Sequence, residues 1–188
     1  MGNLMCRPVT ISARKALLWG IFWMLVGAIL GWYFSVVPTS IVDYTWGRTA
    51  LINYVIYGVV MWVSLSIPTL LIVISRNRSV AVEVFGRMLY AHIPVVFIML
   101  PAVVGDKVDF SIFMSSPFSP QLSVAYSVLM LLYVVLLVAW FFYWSYKVFL
   151  HLTQLKGWGG VILFVVAIYT SYLMSEYAIG ELMGVGAI

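Results

Sequence analysis

The residues with the clearest chemical potential are charged side chains that interrupt a strongly apolar stretch, residues 84–104. Glu83 and Arg87 are four residues apart, so in a helix they share a face and can form an ion pair. Arg87 lies near the start of the stretch, and a long basic side chain there can instead extend to a polar boundary. An ionisable group inside such a stretch is a candidate for binding, proton transfer or internal pairing.

His92 lies deeper in the same stretch, directly before Ile93 and Pro94. A neutral imidazole there can hydrogen-bond a neighbouring helix or the backbone near the proline. Because histidine titrates near neutral pH, a proton relay is the alternative role. The other histidine, His151, is predicted at a polar boundary, and no cluster of cysteines or carboxylates accompanies either histidine. The sequence therefore predicts no metal site.

Two further polar residues lie near the ends of other apolar stretches. Glu176 comes late in residues 158–179, where we expect it either to be hydrated or to face other helices. In the second case its candidate partner is Asn53, near the start of residues 50–74, because both are predicted at similar depth. The candidate polar residues of the interior are therefore Glu83, Arg87, His92, Glu176 and Asn53.

The composition decides what kind of protein must position these residues. Of the 188 residues, 64% are hydrophobic and 9% are charged, whereas soluble proteins average about 25% charged residues. So few charges could not cover so large an apolar core, so we expect lipid to solvate the surface. Lipid cannot hydrogen-bond backbone groups, so the spans must be helices or a closed barrel. Apolar runs of about twenty residues indicate helices, since barrel strands alternate over only about ten residues.

We therefore predict an all-α integral membrane protein with a bundle of five transmembrane helices. Residues 1–16 form a short cytoplasmic segment, residues 17–182 the transmembrane domain and residues 183–188 a tail. The helices are predicted over residues 17–37, 50–74, 84–104, 122–145 and 158–179. Kinks are expected where proline removes a backbone hydrogen bond, at Pro68, Pro94 and Pro101. Residues 105–121 are predicted to be an extended surface loop, and residues 147–157 an amphipathic linker.

The orientation follows from the distribution of basic residues between the runs. With the N-terminus in the cytoplasm and the C-terminus outside, only Arg48 and Lys107 of the ten basic residues fall outside. Five of the six acidic residues fall on the outer side, with Glu83 alone inside. This arrangement obeys the positive-inside rule. The predicted cytoplasmic basic loops hold Arg76, Arg78, Lys147 and Lys156.

The same distribution bears on partners. The net charge of +4 is explained by topology, so the predicted partner is the lipid bilayer and not nucleic acid. Cys6 is the single cysteine, which excludes an intrachain disulfide. The sequence contains no nucleophile elbow, Walker motif, HExxH pair or dinucleotide-binding glycine pattern, so no enzymatic activity and no cofactor are predicted.

Two segments of the chain resemble bacterial Yip-domain proteins, an integral membrane family. Residues 84–94, with the sequence VFGRMLYAHIP, resemble the segment that leads into a proline-containing helix in that family. Residues 143–147, followed by the LKG of residues 155–157 and the last helix through Glu176, resemble the end of the same domain. The resemblance implies five helices with a cytoplasmic N-terminus. Eukaryotic relatives are implied in vesicle traffic and Rab GTPase binding through their N-terminal regions, which we do not carry over to a segment of some 16 residues.

Two hypotheses for function follow. The first is a non-enzymatic protein of the cell membrane (the inner membrane if the source is bacterial) that organises the bilayer. It could equally serve as a subunit of a membrane assembly, with copies of itself or with other subunits. The alternative is a small oligomeric transporter or channel whose polar path uses Arg87, His92 and Glu176. A polar cavity containing His92 would favour the transporter, and a dry apolar interior would favour the scaffold.

Overall fold

The computed structural model describes residues 7–38, 44–46, 49–75, 81–105 and 107–184. Five of its helices are long and apolar enough to cross a membrane, which confirms the predicted helical membrane bundle. In chain order the elements are α1 (Arg7–Thr10), α2 (Ala13–Phe34), β1 (Val36–Pro38), β2 (Tyr44–Trp46), α3 (Leu51–Ser75), α4 (Ala81–Ala91), α5 (Ile93–Val96), a 3-10 turn (Phe97–Met99), α6 (Leu100–Val104), α7 (Lys107–Ser115), α8 (Val124–Thr153) and α9 (Gly157–Met183).

The long helices alternate in direction. At one end, here called the N-terminal end, α2 and α4 begin and α8 finishes, so Glu83 of α4 comes within 3.8 Å of His151 of α8. At the opposite end, Tyr54 at the start of α3 shares a core cluster with Ile179 near the end of α9. The chain therefore passes back and forth across the bundle, as short connections between antiparallel helices require.

The segmented third span, Ala81–Met99, occupies the centre of the bundle. In its apolar stretch 67% of the residues are buried, whereas in the other four spans the buried share is between 22% and 39%. Those four spans therefore offer more surface to lipid. The helix is interrupted at His92, and Pro94 and Pro101 each lie in the first turn of a new segment, α5 and α6. A proline is tolerated there because the first-turn N–H would have no intrahelical partner.

The backbone group freed by Pro101 is hydrogen-bonded from another helix. In an uninterrupted helix, the Phe97 carbonyl would accept from residue 101, where proline has no N–H. The Tyr133 hydroxyl of α8 donates to that carbonyl at 2.7 Å. The same carbonyl also accepts from the Leu100 N–H at the end of the 3-10 turn. Tyr133 therefore adds a second hydrogen bond, which ties α8 to the irregular part of the third span.

Pro68 lies differently, because α3 continues through it from Leu51 to Ser75. The hydroxyl of Ser66 donates to the Trp62 carbonyl at 2.8 Å, within the same stretch of helix. A bond of this kind to the carbonyl four residues earlier often accompanies bending. The kink at Pro68 stays a prediction.

Several boundaries differ from those predicted: α2 begins at Ala13 and not at residue 17, and α9 ends at Met183 and not at residue 179. The first helix was predicted to run to residue 37, but α2 ends at Phe34, and β1 and β2 pair as an antiparallel hairpin with Val36 opposite Trp46. Ser35, with a φ of 58°, takes the left-handed conformation that closes many helices.

The fourth helix was predicted to end at residue 145, but α8 continues to Thr153. Lys147 therefore lies within a helix, and its assignment to a basic loop is wrong. The helix continues because no glycine or proline interrupts it, and because Val148 and Phe149 bury completely against the core.

Residues 105–121 were predicted to be an extended loop, but they contain helix α7. Phe110 and Phe113 lie three residues apart, on one face of this helix, and both are buried in a cluster with Phe34, Val36 and Met99. Burial of these two aromatic rings explains why the segment folds back as a helix against the bundle.

Candidate functional site

Arg87 lies buried at the N-terminal end of the bundle, and its side chain is held by three polar contacts. Its Nε donates to Glu83 Oε1 at 2.9 Å, the ion pair predicted from their spacing. Its Nη1 donates to the main-chain carbonyls of Pro8 at 2.8 Å and Val9 at 2.6 Å. We call this set, Glu83, Arg87, Pro8 and Val9, the Arg87 anchor.

The anchor fixes Pro8 and Val9 against the core. Pro8 is buried, and Val9 and Ile11 pack against the main hydrophobic cluster of the third span and α8. Arginine suits this role because its planar guanidinium presents several donors in a fixed arrangement. With its donors directed to a carboxylate and two carbonyls, Arg87 serves internal structure at this position.

Gly86 explains how α4 approaches the N-terminal segment so closely. A Cβ atom at this position would lie 2.8 Å from the carbonyl oxygen of Ala13 and 3.1 Å from Cβ of Leu17. Only glycine lets the backbones of α4 and α2 pass at this distance. The residue next to Arg87 therefore sets the separation that the anchor requires.

His92 lies at the break between α4 and α5, away from the anchor. Its ring meets Phe141 of α8 edge to face, with ring centroids 5.4 Å apart. The Nδ1 atom is buried without a hydrogen-bond partner among the described residues, so the expected bond to a neighbouring helix is not formed through Nδ1.

A cavity of about 60 Å³ lies against His92. We call it the His92 cavity. Its walls are formed by α2, α3 and the third span. The lining residues include Met24, Gly58, Met61, Trp62 and Met99. Its described lining contains no charged side chain, and the Trp62 indole N–H is directed instead to the Phe85 carbonyl, at 2.8 Å. The cavity is therefore predominantly apolar, with one imidazole at its wall.

The remaining polar candidates lie apart from this cavity. Asn53 donates through its amide to the Thr49 hydroxyl, and Glu176 is exposed on α9. The described part of the chain contains no hydrogen bond or ion pair between them. The depth predicted for Asn53 could not show whether its amide would bond Glu176 on another helix or the Thr49 hydroxyl one turn away.

The basic candidates are distributed at the N-terminal end. Lys147 of α8 places Nζ 5.6 Å from the ring centroid of Tyr143, and Lys156 is exposed immediately before α9. Arg76 and Arg78 lie outside the described residues. These lysines border the bundle and do not enter the His92 cavity.

Comparison with known proteins adds nothing to this picture. No family model matches the chain, and no significant match was found among curated proteins or solved structures. Within the described residues, no group of three or more histidine, cysteine, aspartate or glutamate side chains could hold a metal ion. Functional interpretation therefore depends on the geometry of the Arg87 anchor and the His92 cavity.

Two buried polar groups on α8 were not predicted from the sequence. Trp144 Nε1 and Ser145 Oγ are both enclosed without a hydrogen-bond partner among the described residues. Trp144 stacks on Tyr90 of α4, with ring centroids 5.4 Å apart and an interplanar angle of 18°. These groups lie along the contact between α8 and the third span, in a pattern that aromatic composition alone does not reveal.

Proposed function

We propose that this chain is a non-enzymatic multi-pass membrane protein of the Yip type that serves as a subunit of a membrane-organising assembly. The main support for this proposal is the Arg87 anchor, because the buried Arg87 side chain pairs with Glu83 and holds the backbone of Pro8 and Val9. A side chain committed to three internal contacts is poorly suited to bind and release a substrate.

The proposed membrane orientation places the N-terminal end in the cytoplasm. The described basic side chains at this end include Arg14, Lys15 and Lys156, all exposed. Asp109, Glu176 and Glu181 lie toward the opposite end. This asymmetry supports a cytoplasmic N-terminus under the positive-inside rule, and location in the cell membrane follows as part of the proposal.

The separation of the polar candidates argues against the transporter alternative. A polar path would need Arg87, His92 and Glu176 to line one continuous space. Neither Arg87 nor Glu176 belongs to the described lining of the His92 cavity. Large apolar side chains are instead exposed along α2, α8 and α9, where lipid or further subunits can pack.

The two functions can be separated with purified protein. In liposomes carrying an entrapped pH-sensitive dye, we expect proton flux after a pH jump to equal that of protein-free liposomes. In native nanodiscs, mass spectrometry should release assemblies heavier than the single 21.2 kDa chain. The variant His92→Ala tests whether His92 relays protons across the bundle. His151→Ala is its matched control, because His151 lies exposed at the end of α8. Proton flux that His92→Ala abolishes and His151→Ala retains would contradict the proposal, as would the release of single chains alone.

A further inference from the structure

The His92 cavity gathers an unusual set of side chains from three parts of the bundle. Met24 comes from α2, Met61 from α3, and His92 and Met99 from the third span. Thioether sulfur and imidazole nitrogen are both metal ligands, and soft thioethers select soft ions such as Cu(I). Three methionines and one histidine therefore line one space of about 60 Å³.

Three of these groups lie at nearly the same depth. Gly20 of α2 packs directly against the Leu89 side chain, since a Cβ added at Gly20 would lie 2.6 Å from Leu89 Cγ. Gly20 and Leu89 therefore lie at the same depth along the bundle. Met24 lies four residues beyond Gly20, and His92 lies three residues beyond Leu89. Since α2 and α4 run in the same direction, these offsets correspond to about 6 Å and about 4.5 Å along the bundle.

Met61 is brought to this level by α3. The Met24 side chain packs over Gly58, where an added Cβ would lie 3.0 Å from Met24 Cγ and 3.6 Å from its sulfur. Met61 follows Gly58 by three residues, so it lies on the same face and within one helical turn of that contact. Met24, Met61 and His92 therefore reach the cavity from three helices within about one turn of depth.

The imidazole of His92 is not committed to another partner through Nδ1. His92 lines the cavity, and Nδ1 forms no hydrogen bond with the described residues. A neutral imidazole is a common metal ligand through either nitrogen. Two thioethers and this imidazole make a soft, uncharged donor set.

We propose that the His92 cavity binds a monovalent soft metal ion, represented by Cu(I), through Met24, Met61 and His92. The uncharged lining disfavours hard divalent ions, which require carboxylate or carbonyl oxygens and more charge compensation. Met99 lines the same cavity about two turns beyond His92. This inference goes beyond the proposed function and does not depend on it.

The site is tested by transfer of Cu(I) from its bicinchoninate complex under anaerobic conditions. All proteins carry Cys6→Ser, because the single thiol of the chain is a stronger soft ligand than a thioether. We expect one Cu(I) per chain, and Met24→Leu, Met61→Leu and His92→Leu should each weaken binding by about tenfold or more. Leucine has nearly the volume of methionine, so the two methionine variants should stay folded.

The matched control is Met88→Leu, because Met88 is a buried methionine of α4 that does not line the cavity. It should bind Cu(I) as the Cys6→Ser parent does. A second readout is thermal: Cu(I) should raise the melting temperature of the parent and of Met88→Leu, but not of Met24→Leu. No transfer to the Cys6→Ser parent, or equal losses in Met24→Leu, Met61→Leu and Met88→Leu, would overturn the assignment.

Discussion

Replacing Arg87 with alanine is expected to lower the free energy of unfolding by about 3 kcal/mol, which is the lower end of the range for breaking a buried ion pair. The lower end applies because the Glu83 side chain is 26% exposed and can recover some hydration. The substitution also leaves the Pro8 and Val9 carbonyls without the guanidinium that they share. We therefore expect the N-terminal segment to detach from the core.

Both effects can be measured on protein in detergent micelles. Unfolding by a denaturing detergent reports the stability, and limited trypsin digestion at Arg14 and Lys15 reports release of the segment. Lys156→Ala is the matched control, since Lys156 is an exposed basic residue at the same end of the bundle and its loss leaves both cleavage sites intact. Arg87→Lys should fall between wild type and Arg87→Ala, because one ammonium cannot reproduce the guanidinium fork. If Arg87→Ala and Lys156→Ala behaved alike, the anchor would have no structural role.

Gly86→Ala is expected to be the second most damaging change, although it adds only one methyl group. The new Cβ would lie 2.8 Å from a main-chain oxygen of α2, which a side-chain rotation cannot relieve. Overpacking of this kind costs roughly 1–3 kcal/mol, and alanine recovers up to about 1 kcal/mol through its helix propensity. The upper end applies because the clash is with a backbone atom and α2 and α4 must separate, so about 3 less about 1 leaves an expected net loss of about 2 kcal/mol.

Gly159→Ala separates crowding from helix propensity. Gly159 lies in the first turn of α9, and an added Cβ there would meet no atom within 4 Å. The alanine variant should be as stable as wild type or slightly more stable. Thermal unfolding of both variants in the same detergent makes the comparison. Equal stability of Gly86→Ala and Gly159→Ala would show that the close approach of α2 and α4 is not required.

Hydropathy was sufficient to locate all five spans, because each must cover roughly the thickness of a bilayer with apolar side chains. It could not locate their ends. Nothing in the composition around Lys147 marks the true end of α8 at Thr153, because burial of Val148 and Phe149 extends the helix beyond its lipid-facing part. Likewise, α7 forms through tertiary burial of Phe110 and Phe113, which local polarity in residues 105–121 conceals.

The Glu83–Arg87 pair was predictable because four-residue spacing in a helix fixes the contact. The other partners of Arg87 were not, since Pro8 and Val9 are 79 and 78 residues away and contribute only main-chain carbonyls. Every residue carries such a carbonyl, so the sequence offers no sign of which ones are used.

The His92 cavity, inside the bundle, was equally difficult to predict from the sequence. The prediction that the chain has no metal site considered imidazole, thiol and carboxylate groups. Met24, Met61 and His92 are far apart in sequence, and only the levels set by the Gly20–Leu89 and Gly58–Met24 contacts bring them together. Methionine also fills irregular gaps in cores, so its presence in apolar helices attracts no notice before the packing is known.

The central claim, that the chain threads the membrane five times from a cytoplasmic N-terminus, is tested most directly by labelling single cysteines in intact cells. In the Cys6→Ser background, Gln121→Cys and Gln154→Cys place matched exposed residues just outside the two ends of α8, and Glu181→Cys lies in the last turns of α9. A membrane-impermeant maleimide should label Gln121→Cys and Glu181→Cys from outside, and Gln154→Cys only after permeabilisation. Labelling of Gln121→Cys and Gln154→Cys from the same side, or of Glu181→Cys together with Gln154→Cys, would contradict the account.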